Sequence, residues 1–307
     1  MRKISIIIDT DPGIDDAIAL AAACFSEALE VKLISTVSGN VGIENVTQNA
    51  LKLVEFYGKE IPVAKGSGKP LIKAIETASN IHGENGMGGY TFKEPTRKIL
   101  DKHSIEAMKD VILTSKEKIT LVTIGPLTNI ALLLETYPEV KNNIERIVFM
   151  GGSTERGNYS PAAEFNIATD PEAAKIVFNS KVDLVMLGLN VTSKALLDVE
   201  TVEKLRVSNK IGEMFYSMFS HYRGASLEEG GIHMHDLSTI AYLNKPEIFK
   251  TTRAFVDVET KGEYTSGFTV VDLDNVYGKE PNATVCLDVD VLMFRKWLID
   301  LFENMNI

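Results

Sequence analysis

The sequence is poor in cysteine, has no long apolar run and carries no surplus of positive charge. Each shortage closes off a class of protein. Two cysteines, Cys24 and Cys286, lie far apart in the 307 residues. They cannot build a disulfide framework or a thiolate zinc site, and both read as small buried side chains in a reducing compartment. No stretch of about 18 consecutive apolar residues occurs, so no membrane-spanning helix is expected. The apolar run after Met1-Arg2-Lys3 ends at Asp9, too early for the core of a secretory signal. A cytoplasmic protein is the expectation. Lys and Arg total 32 against 42 Asp and Glu, a net charge of -10. Without a broad basic field, neither nucleic acid nor an anionic membrane is an expected partner.

Hydrophobic residues make up 45% of the chain and charged residues 24%, enough apolar mass for a sizeable core. Apolar runs of strand length alternate with segments of helical period. Ile4–Ile8, Val31–Val37, Ile61–Ala64, Ile119–Ile124, Ile147–Met150 and Val182–Leu187 read as strands. Between them, Asp15–Ser26, Val46–Tyr57 (stopped by Gly58), Glu106–Ser115 and Pro126–Tyr137 (proline at the first helical position) read as helices. Asp170-Pro171-Glu172 opens another, with Asp as cap. This alternation predicts parallel βαβ units, hence an α/β fold with an open, mainly parallel, Rossmann-like sheet flanked by helices.

The last third departs from that rhythm. Residues 198–223 and 236–244 look helical, and Arg253–Glu259 with Thr269–Asp272 looks like a hairpin. Thr284–Asp288 reads as a strand and Val291–Asn304 as a closing amphipathic helix. No Pro/Ser-rich linker, repeat or low-complexity tract divides the chain, so one domain is expected over residues 1–307. Two long segments, Gly66–Pro95 and Gly151–Ala168, lack regular patterning and are rich in Gly, Asn, Ser and His. Irregular segments of that length in a compact domain are usually functional.

The chemistry concentrates in Asp9-Thr10-Asp11-Pro12-Gly13-Ile14-Asp15-Asp16, four carboxylates within eight residues at a strand–helix junction. Like charges so placed repel, and a hard cation relieves them best. Oxygen-only ligation favours Ca²⁺ or Mg²⁺ over zinc. The junction also lies at the carboxyl end of the first strand, where open α/β sheets place their ligands. An Asp-x-Asp after a first strand also opens haloacid-dehalogenase-like phosphatases, but those continue with Gly-Thr where this chain has Pro12-Gly13.

The chain as a whole resembles the inosine–uridine-preferring nucleoside hydrolase family, and within it the bacterial non-specific ribonucleoside hydrolase subgroup of the C type. The match is carried by the opening cluster together with Ser38-Gly39-Asn40, His82-Gly83, Ile124-Gly125-Pro126-Leu127-Thr128-Asn129, Met150-Gly151-Gly152, Ala163-Glu164-Phe165-Asn166 and His235-Asp236. These motifs occur in family order. The resemblance implies hydrolysis of the N-glycosidic bond of purine and pyrimidine ribonucleosides to ribose and free base, in nucleoside salvage. It implies Ca²⁺ held by Asp11, Asp16, Asp236 and the backbone carbonyl of Ile124, with Asp11 doubling as general base. It implies ribose contacts from Asp15, Asn40, Asn158, Glu164 and Asn166, and help to the departing base from His235 and His82. It also implies a homodimer or homotetramer. His233 stands where the subgroup carries a different basic residue, and His221, Tyr222 and Arg223 have no assigned role.

Two other readings use much of the same pattern. One is a pyrimidine-preferring hydrolase acting on uridine and cytidine. The other is a non-catalytic nucleoside-binding protein, against which the intact set Asp11, Asp16, Asp236 and His235 argues. A phosphorylase would need a cradle for phosphate, and no Arg-rich or helix-N-terminal cradle is visible.

Overall fold

The computed structural model describes residues 3–79, 83, 85–220 and 231–305. His82, His221, Tyr222 and Arg223 lie outside the described residues. The first strand, β1 (Ile4–Thr10), is buried along all but its first residue. Its alternation sorts two cores: Ile6 and Ile8 join one apolar cluster, and Ile7 joins the other. The strand is therefore covered on both faces, as parallel strands require.

Helix α1 (Ile14–Phe25) follows at once, then β2 (Leu29–Thr36), α2 (Ile43–Phe56) and β3 (Val63–Lys65). After the first irregular segment come α3 (Ser104–Thr114), β4 (Ile119–Thr123), α4 (Thr128–Thr136) and β5 (Ile144–Met150). The short α5 (Phe165–Thr169) leads into α6 (Pro171–Phe178) and β6 (Leu184–Leu187). A single turn, α7 (Leu189–Thr192), precedes β7 (Leu196–Leu197), α8 (Val199–Ser208) and α9 (Lys210–Phe219). The chain closes with β8 (Ile232–His233), α10 (Leu237–Asn244), β9 (Phe249–Val258), β10 (Thr269–Asp272), β11 (Ala283–Val289) and α11 (Val291–Glu303).

Nine strands form one sheet in the order β10-β9-β11-β6-β5-β4-β1-β2-β3. All pairs from β3 across to β11 are parallel, and β9 alone runs antiparallel to its neighbours β11 and β10. The α/β expectation with a mainly parallel sheet thus holds, as does the antiparallel hairpin near the C-terminal end. Strand order reverses beside β1, with β2 on one side and β4 on the other. The crevice beyond the carboxyl ends of those strands is where such sheets bind ligands.

Some boundaries differ from the sequence expectation. Pro126 lies before α4, which starts only at Thr128; the intervening turn is shaped by the close approach of Gly125 to Asp11. Of the helical run expected over 198–223, the described part, 198–220, is two helices broken at Asn209, whose side chain accepts from the Ile211 and Gly212 N–H groups and starts the second. The segment Gly151–Ala168 is not wholly irregular, because Glu164 caps the short α5 within it.

Asn129 on α4 ties this framework to the crevice. Its side-chain nitrogen donates to Asp9 Oδ1, Ser35 Oγ and the Thr36 carbonyl at 2.8, 3.2 and 2.9 Å, while its oxygen accepts from the Ser67 N–H at 2.9 Å. Asn129→Ala removes a buried donor from a buried carboxylate. It is expected to cost about 2–3 kcal/mol, read as a lower midpoint in urea unfolding. An unchanged midpoint would show that these bonds contribute nothing net.

Candidate active site

Asp9, one residue before the end of β1, faces inward rather than into the crevice. Ser35 and Asn129 donate to one of its oxygens, and burial, which outweighs those bonds, pushes its pKa to about 7. Asp11, just past the strand, is 1% exposed. Its Oδ2 accepts the Asn40 N–H at 2.7 Å, and its Oδ1 is buried with no hydrogen-bond partner. A Cβ added to Gly39 would lie 2.1 Å from Asp11 Oδ2, and one added to Gly125 would lie 2.6 Å from Oδ1. Two glycine backbones therefore clamp this carboxylate, which explains why both motifs need glycine there.

Asp15 and Asp16 sit in the first turn of α1, where the partial positive charge of the helix end favours carboxylates. Thr10 Oγ1 donates to Asp16 Oδ1 at 2.6 Å, and the Gly13 N–H and Asn40 Nδ2 donate to Oδ2 at 2.9 and 3.0 Å. Asp236 arrives at the head of α10 but makes no cap bond to its own helix. Its carboxyl instead lies within hydrogen-bonding reach of Asp15. Oxygens of Asp15, Asp16 and Asp236 lie within 4.8 Å of one another, all buried.

Burial is the largest cause lifting the pKa of each member, and the neighbours' charges add to it at Asp11, Asp15 and Asp236. Asp15 is pushed to about 7, Asp11 and Asp236 well above the carboxylate range. Buried, oxygen-only and crowded, with one carboxylate oxygen left unpartnered, the donor set fits a hard divalent cation. Of the ligands expected from the sequence, Asp16 and Asp236 fall in the tightest group. Asp15, expected at the ribose, stands in that group as well. Asp11 adjoins it, and Ile124 offers a carbonyl that accepts Asn166 Nδ2 at 3.2 Å.

A cleft of about 860 Å³ opens above the cluster and is lined by Asp15, Ile124 and Asp236 among others. Asn40, Asn158, Glu164 and Asn166 also line it. Asn40 Nδ2 is committed to the Asp11 carbonyl and to Asp16. Glu164 is buried and accepts from the Gly152, Asn166 and Ile167 N–H groups; burial outweighs these bonds and pushes its pKa to about 7. Asn166 Nδ2 bridges the Ile124 and Met150 carbonyls, joining the ends of β4 and β5. Asn158 is exposed, and its Oδ1 accepts the Phe165 N–H at 2.9 Å. The two irregular segments meet across the cleft, where Tyr159 donates to Glu76 and Lys73 donates to the Ala168 carbonyl.

His235 stands on the opposite wall, its Nδ1 2.8 Å from Thr192 Oγ1. Sequence reasoning did not find Thr192. It lies 43 positions away in an apolar stretch, and nothing local marks it as a partner. Asn190, which links the Thr154 N–H to the Cys286 carbonyl beside the cleft, was missed for the same reason.

The comparisons with known proteins agree with this geometry. The profile described as inosine-uridine preferring nucleoside hydrolase matches residues 6–296. The non-specific ribonucleoside hydrolases RihC of Salmonella paratyphi C and Salmonella typhi are each 50% identical to this chain over 300 residues, covering 98% of both partners. Among solved structures, a purine-preferring ribonucleoside hydrolase from Gardnerella vaginalis superposes with a TM-score of 0.91 at 31% identity, covering 98% of each chain. The plant nucleoside hydrolase PpNRh1 gives 0.91 and 31%, covering 99% of this chain and 100% of that one. With the family profile matched over residues 6–296, relatives 50% identical over 98% of the chain and a shared fold, the chain belongs to the inosine–uridine-preferring nucleoside hydrolase family.

Proposed function

We propose that this protein hydrolyses the N-glycosidic bond of purine and pyrimidine ribonucleosides, yielding ribose and the free base, in nucleoside salvage. The observation that carries the reading is the buried carboxylate cluster, with Asp11 Oδ1 unpartnered, at the floor of a cleft lined by Asn40, Glu164, Asn166 and His235. One unit over residues 1–307, a cytoplasmic setting and assembly as a homodimer or homotetramer belong to the same reading. Among the described residues no helix is long and apolar enough to cross a membrane.

Ca²⁺ is the cation this reading assigns, held by Asp11, Asp16, Asp236 and the Ile124 carbonyl; when bound it holds the carboxylates ionised and makes a nearby water more acidic. Asp11 takes a proton from the water that attacks C1′, its carboxylate fixed by the Asn40 N–H and two glycine backbones. Asp15, Asn40, Asn158, Glu164 and Asn166 grip the ribose hydroxyls, and contacts that tighten as the ring flattens lower the barrier. The C1′–N bond breaks with its electron pair going to the base. His235, oriented by Thr192, supplies a proton or hydrogen bond to that base. His82 is assigned the same task from the glycine-rich loop.

Three outcomes follow. Asp11→Ala is expected to lower kcat on inosine by at least about a hundredfold while keeping the unfolding midpoint near wild type; wild-type turnover would remove Asp11 as the base. His235→Ala should slow inosine, uridine and cytidine far more than p-nitrophenyl riboside, whose leaving group needs no proton, and equal losses would exclude an acid role. Comparing those three nucleosides in the wild type also separates a broad enzyme from a pyrimidine-preferring one, and absence of released sugar from all of them favours simple binding.

The third outcome concerns metal removal. Without a cation, burial raises the folded-state pKa of Asp9 and Asp15 to about 7 from 3.8. A raised folded pKa gives stability that is present below the unfolded value and lost as pH rises through the folded one. In EDTA the melting temperature should therefore fall between about pH 4 and about pH 7. Excess Ca²⁺ should shrink that fall, since a cation beside Asp16 and Asp236 offsets the charge that Asp15 feels, while the part owed to the inward-facing Asp9 remains. Equal melting temperatures with and without EDTA at the higher pH would exclude a cation in the cluster.

A further inference from the structure

His233 forms part of the cleft wall beside His235, and no step above uses it. Its backbone is fixed, because β8 pairs His233 with Leu196 and the next N–H, from Met234, donates to the Ala195 carbonyl at 2.9 Å. Its ring lies nearly parallel to that of His235, with centroids 5.9 Å apart and 28° between planes. Its Nδ1 is buried and has no hydrogen-bond partner. A buried N–H with no acceptor is costly, so of the two neutral tautomers the one with Nδ1 bare and the proton on Nε2 is favoured. The residue is only partly buried, so the distal edge of its ring, which carries Nε2, is the edge that reaches a ligand in the cleft.

Building on the nucleoside hydrolase reading, we propose that His233 is a base-recognition residue whose Nε2–H donates to a keto oxygen of the nucleobase. Hypoxanthine, guanine, xanthine, uracil and cytosine each carry such an oxygen. Adenine carries none, and its exocyclic amine would set donor against donor. A fixed donor that the wrong base leaves unpaired penalises that base more than an apolar wall does. His233 therefore selects oxo-bases, purine or pyrimidine, over adenine.

The test measures kcat/KM for inosine and adenosine in the wild type, His233→Phe and His233→Gln. Phenylalanine keeps a ring against His235 but offers no donor, whereas glutamine keeps a donor. In His233→Phe, inosine should lose about tenfold and adenosine less than about twofold. His233→Gln should recover much of the inosine-to-adenosine ratio. Inhibition by D-ribose, which has no base, should be unchanged in both. An unaltered ratio overturns the assignment, and so does an equal loss on both nucleosides, which is the signature of lost packing on His235. If His233→Phe does not fold, judged by its melting curve, His233→Ala against His233→Gln supplies the same comparison. A wild type that releases no sugar from any nucleoside fails the underlying function instead, and takes this inference with it.

Discussion

Five buried aspartates at one end of the sheet repel one another, and the rest of the structure is arranged around that repulsion. Asp9, Asp11, Asp15, Asp16 and Asp236 are each no more than 6% exposed. Water cannot screen them, so their charges persist only if something else answers them. The protein answers in part with directed donors: Ser35 and Asn129 at Asp9, the Asn40 N–H at Asp11, and Thr10, Gly13 and Asn40 at Asp16. Among the described residues no lysine or arginine pairs with these carboxylates. The pKa values remain raised despite the donors, so the hydrogen bonds orient the carboxylates without neutralising them. What is left is a demand for positive charge at one point, which is the property a divalent-cation site needs.

The parallel sheet makes that concentration possible. Strands β1 and β4 end side by side where the strand order reverses, and the chain leaves them in opposite directions, so the space between is open. Glycine backbones at 39 and 125 then close in on Asp11 from both sides. Asn166 reaches across to the carbonyls at the ends of β4 and β5 and holds the crevice at its width. Asn129 couples the innermost carboxylate to a flanking helix. Disturbing the sheet order would disperse these groups even if every residue survived.

Legibility in the sequence followed locality. The alternating strands and helices could be read because periodicity is a short-range signal, and the opening aspartates because they are neighbours. Partners that meet only through the fold left no such signal. Thr192 reaches His235 from 43 positions away, and Asn190 reaches Cys286 from 96. Asp236 carries no local mark either and was named only through the resemblance. The helix start expected at Pro126 failed because a tertiary contact, Gly125 against Asp11, overrode the usual preference for proline in a first turn. The long C-terminal helix breaks at Asn209, whose backbone is extended and whose side chain caps two of the N–H groups that the break exposes.

The two sides of the cleft are built to different standards, and that division bears on how one scaffold serves different bases. The carboxylate floor rests on long buried strands and on helices α1 and α10, with backbone and side-chain donors fixing its oxygens. The wall carrying His233 and His235 rests on a single turn, Leu189–Thr192, and a two-residue bridge, Leu196–Leu197 against Ile232–His233. The short elements are still held in place, by the Leu196–His233 pairing, by the Met234 N–H on the Ala195 carbonyl and by the burial of Leu197, Ile232 and Met234. Ribose is common to every ribonucleoside, which suits a rigid floor. The base varies, which suits a wall that presents partly exposed rings, His233 and His235, to the cleft from a buried support.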